Sequence, residues 1–119
     1  MIIIIFGLLL LVWFVFSDTQ TNRYTDINDV KRDKAIIRGW IPEIIPISAY
    51  EIEETHNLDI NTVFGTFRYK EKDEKNFLKS LTLFSDDNRT MKWNDFLFKV
   101  DKEKNYVKFE NMKYEMVNK

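Results

Sequence analysis

The chain has no cysteine, only three glycines and two prolines, and a single histidine among 119 residues. Without cysteine there is no disulfide framework, no thiolate metal site, no cysteine nucleophile and no lipid-modified cysteine. Gly7, Gly39 and Gly65 stand too far apart for a phosphate-cradling loop, which needs clustered glycines so that backbone amides can approach the anion. The formal net charge of -1 gives no general attraction to nucleic acid. Lys99, Lys102, Lys104 and Lys108 are interleaved with Asp101, Glu103 and Glu110, the pattern of a solvated sheet face, so no nucleic-acid partner is expected. Charge is also missing from the first 17 positions, although the chain as a whole carries 18 basic and 19 acidic residues.

Those first positions hold 15 hydrophobic residues. As a helix, residues 1–16 would be roughly 24 Å long, a little short of the ~30 Å hydrocarbon core of a bilayer. Trp13, Phe14 and Phe16 gather at one end, where aromatic rings favour the membrane interface. The segment reads as a signal-anchor helix that contacts the bilayer. Cleavage after Ser17 is one alternative, against which stands the lack of Lys or Arg before the apolar run, and a buried helix of a soluble protein is the other, against which stands the want of apolar residues elsewhere to surround it. Arg23, Lys31, Arg32 and Lys34 follow the segment, which by the positive-inside rule keeps the body in the cytoplasm, whereas a short amino-terminal anchor commonly exports it. Three regions are expected: a hydrophobic helix over residues 1–17, a polar tether over 18–24, and one domain over 25–119.

Within the domain, Thr25 or Asp26 caps a helix reaching about residue 34, with Ile27 and Val30 on its apolar face. Residues 35–38 read as extended, followed by a loop stiffened by Pro42 and Pro46. Ser48 and Glu51 have the spacing of a capping box, with Ile47 and Ile52 as its hydrophobic staple, which predicts a helix over residues 49–56. Alternation then predicts a strand over 62–70, a helix over 71–79, a strand beginning near Leu81, and a hairpin with Phe96, Phe98 and Val100 in one arm and Val107 and Phe109 in the other. The apolar phase slips by one residue between Phe109 and Met112, which predicts a bulged strand over 105–117. The expected fold class is α+β: an antiparallel sheet of four to five strands with two or three short helices on one face, preceded by the N-terminal hydrophobic helix.

Four residues stand out as candidate binding residues. His56, on a helix end, would share a face with Glu53 and Asp59, a spacing that suits a divalent cation or an acid–base pair. A histidine in a last helical turn is more often a cap responding to the helix dipole, and the second histidine of a helical zinc signature is missing. Residues 57–61 imitate the alternating oxygens of a calcium loop through Asn57, Asp59 and Asn61, but Thr62 replaces the required glycine and Arg68 the closing acid. Trp40, on a proline-stiffened loop, suits a protein anchor, or else closes a small core. No catalytic residue, metal ligand or cofactor is assigned.

Thr21-Asn22-Arg23-Tyr24, Arg38-Gly39-Trp40-Ile41-Pro42, Ile44-Ile45-Pro46, Ser48-Ala49, Ile52, Glu53 and His56-Asn57-Leu58-Asp59-Ile60-Asn61 together resemble the YbbD-like family of small bacterial envelope proteins. The resemblance covers about residues 21–67, and Ile60 departs from the threonine that the family prefers. That family has no assigned activity, so the resemblance transfers no catalytic residue. It implies bacterial origin and an inner-membrane, single-pass protein with its domain on the periplasmic or extracytoplasmic side. The placing of some relatives near polymorphic toxin loci hints at immunity proteins. The expected function is therefore non-enzymatic binding of a protein partner in or near the membrane. The alternatives are an accessory subunit acting through its hydrophobic helix, and a small enzyme or metal-binding domain using His56.

Overall fold

The structure is a computed structural model that describes residues 18–86 and 89–118. The expected helix over residues 1–17 lies outside the described residues. Among the described residues, no helix is long and apolar enough to cross a membrane.

Seven strands form one antiparallel sheet: β1 (Thr19–Asp26), β2 (Tyr50–Asn57), β3 (Thr62–Arg68), β4 (Thr82–Ser85), β5 (Thr90–Trp93), β6 (Phe96–Asp101) and β7 (Tyr106–Asn111). Their order across the sheet is β1-β2-β3-β7-β6-β5-β4, so two meanders meet where β3 pairs with β7. Among the described residues, three short helices complete the fold: α1 (Ile27–Arg32), α2 (Glu74–Lys79) behind a 3-10 turn (Glu71–Asp73), and α3 (Met112–Val117).

One sheet face is apolar and covered. Val63, Phe67, Phe98, Val107 and Phe109 point into it and pack beneath α1, α2 and the turns of residues 33–49. Phe77 from α2 meets Phe67 and Phe98 edge to face, and Ile27 and Val30 from α1 are buried as their spacing predicts. Asp26 caps α1 by accepting from the Asp29 amide. The opposite face carries Thr66, Arg68, Lys99 and Lys108 and lies open to solvent except where α3 turns back toward Phe64.

The sheet has more strands than the sequence pattern suggests. Residues 18–24, expected as a tether, supply most of β1: Tyr24 enters the core and Asn22 bonds an inward carboxyl, so a segment without apolar alternation still has an inner face. Residues 35–38 form tight turns instead of an extended stretch. The helix expected over residues 49–56 is strand β2. Its buried residues alternate as Ile52, Glu54 and His56, and two polar side chains facing inward hide the period of two. Ser48 caps nothing there; its hydroxyl accepts from the Lys70 amide, its own amide donates to Asp73, and Ile47 stands in solvent. The bulged strand over 105–117 is also replaced. β7 stops at Asn111, whose side chain accepts from the Tyr114 amide and starts α3, so the phase slip marks a strand giving way to a helix. A bulge does occur, in β2, where Glu51 has φ +49 between the Tyr50–Arg68 and Glu53–Thr66 pairs.

Candidate functional site

His56 and Trp40, chosen separately from the sequence, are brought together. His56 points inward from β2, and the turn of residues 39–41 lays the indole on its ring with centroids 3.8 Å apart and planes 8° from parallel. The Arg38 guanidinium stands 5.0 Å from the indole centroid. Two residues before His56 on the same face, Glu54 places its carboxylate 2.9 Å from the imidazole Nδ1. The Asn22 amide donates to the other Glu54 oxygen at 2.6 Å. Burial pushes the Glu54 carboxyl up, and its bonds from His56 and Asn22 pull it partly back. Beside Glu54, the Tyr24 hydroxyl donates to Asp33, and burial followed by that carboxylate raises the phenol.

An ionised Glu54 makes Nδ1 the donor and leaves Nε2 as an acceptor, the arrangement of a carboxylate-oriented base. Nε2 has no hydrogen-bond partner, yet His56 is 2% exposed and Trp40 covers one ring face. Burial therefore closes Nε2 to a substrate in this arrangement. Glu53 and Asp59 do not join His56, because β2 is a strand and not a helix. Glu53 faces the other side and pairs with Arg23 at 3.2 Å, and Asp59 lies in the β2–β3 turn. There Asn57 Oδ1 accepts from the Asp59 and Ile60 amides, and Asn61, at φ +55, offers its carbonyl to the Asn111 side chain. Asn57 Oδ1 is therefore occupied in shaping the turn, and the Asp59 carboxylate lies against that of Asp18. Among the described residues, no group of three His, Asp or Glu side chains is placed to hold a metal ion.

A second site, which the sequence reading did not find, lies on the uncovered face. Cross-strand register sets Phe64 of β3, Glu110 of β7 and Leu97 of β6 in one row, with Thr66, Lys108 and Lys99 in the next. The Asn111 cap turns α3 so that Tyr114 packs on Phe64 at 4.8 Å. Leu97, 2% exposed, lies in the lining of a groove of about 350 Å³, while Phe64 remains 40% exposed beside it. Lys99 and Lys108 stand directly opposite each other along it, a like-charge pairing that costs stability in the free protein. Burial, then the charge of Glu115, pushes up the carboxyl of Glu110, the one acid among the lining residues, and Lys99 pulls it partly back. Gly65, behind Phe64, is held by contact: a Cβ there would collide with the Glu53 carbonyl and with the Phe109 ring.

Alternation alone assigns Phe64, Leu97 and Lys108 to faces. It does not say which strands are neighbours, and only the β3–β7 and β6–β7 pairings assemble the groove.

Residues 18–68 match the family described as the YbbD head domain. No curated protein and no solved structure matches the chain. The matched segment runs from β1 through β3 with α1 and the turns that cover them, so it contains the whole Trp40–His56–Glu54 cluster but only the β3 side of the groove.

Proposed function

From the premise that this chain is YbbD-like over its head segment, we propose that it is a non-enzymatic protein-binding module of the bacterial envelope, anchored by residues 1–17. Its contact surface is the groove on the uncovered face. The partner offers a segment with an acidic side chain beside an apolar one. The carboxylate meets Lys99 and Lys108, and the apolar group lies on Phe64 and Tyr114. The observation that carries this reading is the groove's mixed lining: a half-exposed aromatic pair next to two directly opposed lysines, with Glu110 the one acid among the lining residues. Aromatic rings and desolvated charges are the groups that concentrate binding energy at interfaces, and an opposed lysine pair is relieved when an anion arrives. Neutralisation of a toxin is one specific form of this role.

The test is co-purification from detergent-solubilised membranes with three full-length proteins: the native chain, one with residues 1–17 exchanged for an unrelated anchor, and one with Phe64→Ala and Tyr114→Ala. The proposal expects one stoichiometric partner with the first two and its loss from the third. Retention by the groove variant together with loss on anchor exchange would instead identify an accessory subunit held by its hydrophobic segment.

A further inference from the structure

Two aliphatic side chains stand in solvent on the turn between β2 and β3, Leu58 at 69% exposure and Ile60 at 45%. Neither belongs to the core, and the turn that carries them is braced. Asn57 Oδ1 accepts from the Asp59 and Ile60 amides, and the Asn61 carbonyl accepts from the Asn111 side chain. The same turn is fastened to the start of β1. Thr19 and Asn57 are register partners, the Asn57 side-chain amide donates to the Thr19 hydroxyl at 3.1 Å, and the Asp18 and Asp59 carboxyls are in contact. Leu58 and Ile60 therefore lie beside the point where the apolar segment of residues 1–17 joins the domain.

We propose that Leu58 and Ile60 enter the headgroup–acyl boundary of the bilayer that holds residues 1–17, as a second apolar contact that fixes how the domain stands on the membrane. The inference rests on the anchoring of residues 1–17 proposed above. Position is what selects a bilayer as the occupant. One ladder pair and two chain steps connect Leu58 to Asp18, which holds their Cα atoms within about 13 Å. Two side chains also offer far less than the ~800 Å² per partner of a stable protein interface, whereas a bilayer takes apolar side chains in without a matching shape. No Lys or Arg occurs in residues 18–22 or 57–62, and Asp18 and Asp59 stand among them, so the contact is apolar burial alone and suits a zwitterionic surface. From this end β1 spans about 26 Å over its eight residues, which carries α1 and the exposed Ile37 beside it away from the bilayer. The Phe64 row of the groove is then nearer the bilayer than the Lys99–Lys108 row.

The absence of cysteine allows the test on the full chain with single nitroxide labels. Labels go at Ile60→Cys, at Leu9→Cys in the apolar segment, and at Ile37→Cys, which is 85% exposed and apolar but lies by α1, at the far end of β1. The protein is placed in phosphatidylcholine nanodiscs, and the accessibility of each label to oxygen and to a water-soluble nickel chelate is compared. The proposal expects a high oxygen-to-nickel ratio at positions 9 and 60, a low one at 37, and loss of the high ratio at 60 on Leu58→Asp. A label at 60 that stays in water while position 9 is immersed overturns the inference and leaves the anchor intact. Immersion at neither 9 nor 60 overturns both. Immersion at 60 that persists in Leu58→Asp marks mere nearness to the anchor and overturns the apolar contact. Equal immersion at 60 and 37, or spin–spin broadening at 60 from a second copy, assigns the tip to nonspecific insertion or to self-association, and either outcome overturns the bilayer contact.

Discussion

Glu54 and His56 show how a buried polar pair shapes a small domain. Each satisfies the other, Asn22 adds a further bond, and Trp40 excludes water from the ring. His56→Ala would open a cavity under the indole and leave a buried carboxyl with one partner fewer. Urea unfolding of that variant should show a loss of about 2–4 kcal/mol. Partner capture should persist in the fraction that folds, because the groove lies on the other face of the sheet. Glu54 and Glu110 are both held above the ordinary carboxylate range by burial. The folded state therefore keeps these protons to higher pH than the unfolded chain. The stability they contribute is fully present below the unfolded value, about 4.3, and is lost as pH rises through the raised folded values. Glu110→Gln should flatten that fall, read as the urea midpoint against pH. Trp40 and His56 were visible in the sequence as isolated residues. Their contact was not, because it depends on His56 lying on a strand and on the turns at residues 33–41, neither of which has an apolar period.

Among the elements, β3, β6, β7, α1 and α2 were legible because their inward residues are apolar at the correct period: Val63 and Phe67, Phe96 and Phe98, Val107 and Phe109, Ile27 and Val30, Phe77. β1 and β2 were not, since Asn22, Glu54 and His56 occupy inward positions where the pattern needs hydrophobic side chains. At the end of β7, the alternation of Met112, Tyr114 and Met116 resembles a strand, but Asn111 takes the first-turn amide and the backbone turns. Asn111→Ala removes that cap together with its bonds to Asn61 and Val63. It should cost about 0.5–2 kcal/mol and speed amide exchange at Tyr114. Gly65→Ala forces a Cβ into the β2 backbone and the Phe109 ring, so a loss of about 1–3 kcal/mol is expected in the same unfolding assay. Lys99→Glu reverses the usual direction. It replaces an opposed lysine pair with an attractive one and should stabilise the free protein by about 0.2–1 kcal/mol while weakening capture of an acidic partner.

The whole molecule is a two-layer fold with one covered face, and the groove lies on the uncovered one. Stability should be graded from centre to edge. Hydrogen exchange should be slowest in β3 and β7 and fastest in β4, which is four residues long with three of them exposed.

β7 is the last strand of the sheet to leave the ribosome, yet it fills the seam between β3 and β6. Until residue 111 has emerged, the nascent protein is two half-sheets, each presenting an unpaired edge. A message truncated before Tyr106 would therefore yield a product with two adhesive edges, one of them on the segment that matches the YbbD head domain. Premature termination just before β7 should be more damaging to the cell, through co-aggregation, than the loss of one six-residue strand suggests.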